Sequence, residues 1–199
     1  MVALGVCRKS SRDPDDPAIE ILNSGLVPKL NGEHRHIMKM DSRKEDIEKR
    51  SYESSSGNMP AKEEAPRGGL LMMSADQKKA YWQYLASPRQ QLRMHFWNEE
   101  GELMMMLVMA MGFITASHGQ NLVCTGLRDI VMAKFGIRVS TYADEYRIAE
   151  PSPVLAVISQ LALVLTGTFL GLRFGLGVSK TMLDGSTTRL DWTGYTFDS

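Results

Sequence analysis

The groups in this chain that could do chemistry are sparse, and the histidines come first. His95 and His118 bracket an apolar run, and two axial histidines are one way to hold a haem iron. On one continuous helix their separation of 23 positions corresponds to about 34 Å, too far to grip a single haem within one chain. Either ring could instead meet a haem shared with another subunit. With Arg128 and Asp129 nearby, His118 is also the candidate for contact with a quinone headgroup. Glu33-His34-Arg35-His36 sets two imidazoles at i,i+2 in a stretch without a core, which is a weak metal pattern. Cys7 and Cys124 are 117 positions apart and provide neither a disulfide framework nor zinc spacing. The methionine-rich run Leu103–Met111 lacks the thiolate or histidine company that copper would need.

Nucleotide chemistry has no glycine loop to rest on. Gly167 to Gly177 lacks the preceding strand and the acidic residue of a dinucleotide site. No Gly-x-Ser-x-Gly elbow or His-Glu-x-x-His occurs. The expectation is therefore a chain with no catalytic residues, no metal site and no cofactor beyond a haem or quinone contact at His118.

The elements that would position these groups follow from the distribution of charge. The chain has 23 basic and 23 acidic residues, so its formal net charge is zero. This balance argues against nucleic acid as a partner. Residues 1–70 hold 12 of the basic and 12 of the acidic residues, with no Phe or Trp. Such a segment buries too little apolar surface to offset the entropy of ordering and reads as an extended or disordered arm. Within it, Ser42–Arg50 carries Glu45/Lys49 and Asp46/Arg50 at i,i+4, the pattern of a solvated helix. Ser54–Pro60 and Pro66-Arg67-Gly68-Gly69 then break regular structure.

Two helix starts follow in residues 71–102. Ser74-Ala-Asp-Gln77 has capping-box form, and Ser87-Pro88-Arg89-Gln90 repeats it with proline at the first helical position. These predict amphipathic interfacial helices, with His95, Phe96 and Trp97 at a membrane–water boundary.

Residues 103–179 hold 44 hydrophobic residues and nine charges. Leu103–Ser117 is 15 residues without a charge, about 22 Å as helix. Counting from Trp97 to His118 gives about 33 Å, enough to cross a bilayer. Pro151-Ser152-Pro153 starts a second helix, and Val154–Leu172 runs 19 residues without a charge, about 28 Å. Gly167, Gly171 and Gly175 fall at i, i+4 and i+8, a face on which another helix could pack closely in lipid. Arg173 lies on another face and can snorkel to the interface. Between the blocks, Leu122, Val123, Leu127, Ile130, Val131 and Phe135 form an amphipathic stretch.

The expected architecture is all-α: a two-transmembrane helical hairpin with spans near 97–118 and 154–175 joined by the connection 119–150. Amphipathic helices at 71–102 and the polar arm at 1–70 precede it, and a polar tail at 180–199 follows. The expected function is a non-catalytic structural or assembly subunit of a membrane complex. The expected location is the mitochondrial inner membrane, in a respiratory chain or ATP synthase. Its partners would be other membrane-protein subunits and the lipid bilayer. The alternatives are a viral membrane or virion-associated protein, and a membrane anchor contributing to a haem or quinone site.

Overall fold

The computed structural model describes residues 5–29, 32–39, 71–175, 189–192 and 195–198. In chain order the strands are β1 (Cys7–Lys9), β2 (Asn23–Pro28), β3 (His34–Lys39), β4 (Leu71–Asp76), β5 (His95–Trp97), β6 (Leu103–Met106), β7 (Val139–Tyr142), β8 (Glu145–Glu150), β9 (Arg189–Trp192) and β10 (Tyr195–Asp198). The helices are α1 (Pro88–Gln91), α2 (Ile114–Phe135) and α3 (Pro153–Phe169). The chain divides into two compact units, Met1–Ser51 with Tyr81–Gly119, and Tyr52–Ala80 with Gln120–Ser199.

In the first unit, β6 lies between β1 and β5 in an antiparallel sheet, and β2 pairs with β3 as a separate hairpin. The return from β5 to β6 is fixed by Asn98. Its Oδ1 accepts the backbone N–H of Glu100 at 3.1 Å and of Glu102 at 2.7 Å, while Gly101 adopts φ +73°. The β6 run Leu-Met-Met-Met is buried at all four positions, as expected of a strand covered on both faces. Met38, Met94, Phe96, Met104, Met106 and Phe113 build the core around it. Ser87 and Gln90 form the expected capping box at α1, with Pro88 at its start, but that helix is a single turn.

In the second unit, β8 lies between β4 and β7, antiparallel to both. α3 packs on β4 and β8. Ser152 caps α3 as its sequence predicts, accepting the Leu155 N–H at 3.3 Å. The buried face of α3 is Ala156, Ser159, Gln160, Leu163 and Gly167. Its two polar members are anchored: Ser159 Oγ donates to Glu150 Oε1 at 2.7 Å, and Gln160 Nε2 donates to Ser74 O at 2.9 Å. In α2, Cys124, Leu127 and Val131 are buried, while Leu122, Ile130 and Phe135 are exposed. β9 and β10 pair as a hairpin.

These observations correct the expected all-α membrane hairpin: the fold is mixed α/β. Leu103–Ser117 is not a helical span, because its first four residues are a central strand and helix begins only at Ile114. α3 is 17 residues long, about 25 Å. It ends where Gly171 turns with φ +90°. Among the described residues no helix is long and apolar enough to cross a membrane, so integral-membrane placement, including the mitochondrial inner membrane, is withdrawn. The arm also carries β1, β2 and β3, and the Ser74 segment is strand rather than helix. The expected charged helix at 42–50 and the breakers after it lie outside the described residues.

Candidate functional site

Three acidic residues fall at one end of the second unit's sheet. Asp76, the last residue of β4, is directly opposite Glu145, the first residue of β8. Directly paired residues on antiparallel strands send their side chains to the same face, and like charges so placed repel. Asp144 precedes Glu145 in the two-residue turn between Tyr142 and Glu145. Its carbonyl accepts the Gln77 N–H at 3.0 Å, tying that turn to the end of β4.

Backbone strain gathers at the same edge. Ala143, in the turn, has φ 51°, and Lys79, three residues after Asp76, has φ 54°; among the described residues they are the non-glycine positions with positive φ. Such conformations cost of order 1–3 kcal/mol each and cluster where geometry is functional. Beneath the edge, the buried Gln77 amide donates to Tyr146 Oη at 2.6 Å and lies 3.5 Å from Cys124 Sγ, joining β4, β8 and α2. The Tyr146 ring packs on Phe174 with centroids 5.9 Å apart. Gly175 N–H donates to Asp76 O at 2.8 Å, and Lys78 N–H donates to Arg173 O at 2.9 Å, so the segment after α3 flanks β4 on its other side. Among the described residues no three His, Cys, Asp or Glu side chains are disposed to hold a metal ion by themselves.

The residues selected from sequence fall in different places. Gly167, Gly171 and Gly175 do not share one helix face, because α3 ends at Phe169. Gly167 is a close-packing position within its own unit: a Cβ there would stand 2.6 Å from the Phe174 ring and 3.0 Å from Leu127 Cδ2. Arg173 and Gly175 are brought to the carboxylate edge through their backbones. Trp97 is exposed on β5, and His95 is buried on the same strand. The His95 ring contacts Ser10 Oγ at 3.1 Å and Leu92 O at 3.2 Å, and burial holds its pKa below the ordinary imidazole value. His118 lies on α2, so the two histidines do not share a helix. Cys7 and Cys124 are free and buried. Sequence reasoning passed over Asp76, Asp144 and Glu145. The available signal was an acidic residue closing one apolar strand, and two more between Val139–Tyr142 and Tyr146–Ile148.

No family model matches the chain, and no curated protein matches it in sequence. Its fold is similar to solved structures of prototype foamy virus protease-reverse transcriptase. A selenomethionine-labelled CSH mutant gives a TM-score of 0.74 at 14% identity, covering 100% of this chain and 24% of that one. The native protein gives 0.69 at 14% identity over 98% of this chain and 24% of that one. A foamy viral protease-reverse transcriptase in complex with dsDNA gives 0.72 at 14% identity over 99% of this chain and 38% of that one. The chain thus spans about a quarter to two-fifths of the length of these neighbours. At this identity the likeness establishes the fold. It overturns the reading as an accessory or anchor subunit of a membrane complex, and equally the viral membrane-protein alternative. The exclusion of nucleic acid falls with it, since a neighbour of the same fold is solved on dsDNA and a zero net charge does not describe local charge.

Proposed function

We propose that this chain is a nucleic-acid-binding domain of the reverse-transcriptase type, with Asp76, Asp144 and Glu145 forming its phosphoryl-transfer edge. The observation that carries the reading is the placement of these three acidic residues at one end of the β4-β8-β7 sheet. The fold shared with protease-reverse transcriptase structures supports it.

A divalent cation fits this edge. Magnesium in polymerase-type sites takes one or two protein carboxylates, and water and substrate phosphates complete its shell. Asp76 with Asp144 or Glu145 meets that requirement without a third protein ligand. When bound, the metal would stabilise charge on a transferring phosphate. The chain's own part is positional. The Gln77–Tyr146 hydrogen bond and the Gln77–Asp144 backbone bond hold the two strand ends in register, so Asp76 and Glu145 stand opposite each other with Asp144 beside them in the turn.

The test is primer extension and duplex binding by the full chain, using a labelled template–primer with magnesium or manganese. Asp144→Asn is expected to lower incorporation by about 100-fold or more while leaving duplex affinity within a few-fold. Incorporation undiminished in Asp144→Asn would remove the carboxylates from the reaction. Failure of the unaltered chain to bind any duplex would remove the nucleic-acid reading altogether.

A further inference from the structure

The first unit contains a cavity of about 400 Å³ whose charged lining is entirely basic: Arg8, Arg12 and Arg89, with Ser10, Ser11 and Gln91 beside them. Arg8 projects from β1 opposite Met105 of β6, which also lines the cavity. Ser10, Ser11 and Arg12 follow β1 directly, and Arg89 and Gln91 belong to α1, whose start is held by the Ser87–Gln90 capping box. The wall is anchored: Ser10 Oγ accepts the Arg12 backbone N–H at 3.1 Å and lies 3.1 Å from His95 Nε2, and Gln91 Nε2 donates to Ala86 O at 2.9 Å.

Of the three guanidiniums one is compensated. Arg12 Nη1 donates to Asp16 Oδ2 at 2.9 Å. The Ala18 N–H and then Arg12 hold that carboxyl below the usual range. The Arg8 and Arg89 side chains make no ion pair or hydrogen bond among the described residues. Two uncompensated guanidiniums facing one cavity stand out in a chain whose net charge is zero. The planar guanidinium fork matches phosphate oxygens two at a time, and hydroxyls such as Ser11 can donate to the same group.

We propose that this cavity binds a phosphate group through Arg8 and Arg89. The source is a phosphodiester of a bound strand or a free phosphate, and only the first source rests on the nucleic-acid reading above. A strand bound there would gain affinity in a salt-dependent way, with each neutralised phosphate adding about 0.7 to 0.9 to the slope of log K against log salt.

The experiment compares the full chain with R8Q/R89Q, and with K134Q/R138Q as an equal charge change at exposed sites elsewhere. Each protein is titrated with inorganic phosphate by calorimetry and with a labelled 12-nucleotide single strand by anisotropy at several salt concentrations. The expected result is strand binding at least tenfold weaker in R8Q/R89Q, with the salt slope lower by between one and two, and K134Q/R138Q close to the unaltered chain. Loss of phosphate binding alone in R8Q/R89Q would support the site with a free phosphate as its source. If R8Q/R89Q matches the unaltered chain for both ligands, or K134Q/R138Q loses as much, the proposal is overturned. An unaltered chain that binds phosphate but no strand would sink the nucleic-acid reading and leave the cavity standing.

Discussion

The Leu103–Met106 run and the Val154–Phe169 run are both free of charge, yet the first is strand β6 and the second is helix α3. Composition does not separate them, for Leu and Met, which make up β6, are better helix formers than the three Val and one Ile that α3 carries beside its four Leu. Partners separate them. β6 is hydrogen-bonded to β1 on one side and β5 on the other, and all four of its side chains are buried. α3 leans on a sheet with one face only, leaving Val154, Ile158, Leu165 and Phe169 exposed, the last at 91%. An uncharged run therefore says how much apolar surface a segment carries, and only its pairing says whether both faces or one are covered.

A charge placed in each run would break or confirm this contrast, and the larger effect belongs to β6. Met106 is 0% exposed at the centre of the first unit's core. Met106→Lys leaves an unpaired ammonium there, and we expect a loss above ~4 kcal/mol, seen as disappearance of the cooperative urea transition of that unit. A transition with an unchanged midpoint would show that β6 is not enclosed.

The middle effect tests the one close approach on the buried face of α3. In Gly167→Ala the added methyl meets the Phe174 ring and Leu127. Overpacking of about 1–3 kcal/mol then outweighs the gain of about 1 kcal/mol from replacing a helical glycine. Gly126→Ala on α2, where nothing lies within 4 Å of the new methyl, is expected to raise stability by about 0.5–1 kcal/mol. Opposite signs in thermal unfolding are the expected outcome; stabilisation by both would mean that Phe174 yields easily.

The same contrast explains what could be read beforehand. Caps are local, so the Ser87 capping box and the Ser152 cap of α3 were legible, and so was the amphipathic stretch that became α2, but the same local pattern at Ser74 was overridden by strand pairing in β4. The hairpin between β5 and β6 was not recognised, although Asn98 and Gly101 are turn residues, because the apolar run beyond them suggested a helix continuing from Trp97. The hairpin between β7 and β8 carried no such signal. Its turn uses Ala143 at positive φ where Asn or Gly would be usual, so Asp144 and Glu145 looked like part of a polar connection. Each acidic residue at a strand end was visible in the sequence, but their juxtaposition was not: Asp76 and Glu145 are 69 positions apart and become neighbours only through strand register.

The smallest effect bears on the exposed face of α3. Leu165 is 63% exposed, while Leu163, two positions before it, is fully buried. Replacing Leu165 with Gln removes apolar surface that is largely hydrated in the folded chain already, and glutamine is nearly as good a helix former as leucine. The change in unfolding free energy is therefore expected to stay within about 0.5 kcal/mol. A loss above 1 kcal/mol in chemical denaturation would mean that this face is covered in the folded protein. α3 would then resemble β6 in being enclosed on all sides, and the distinction between the two runs would lie in backbone pairing alone.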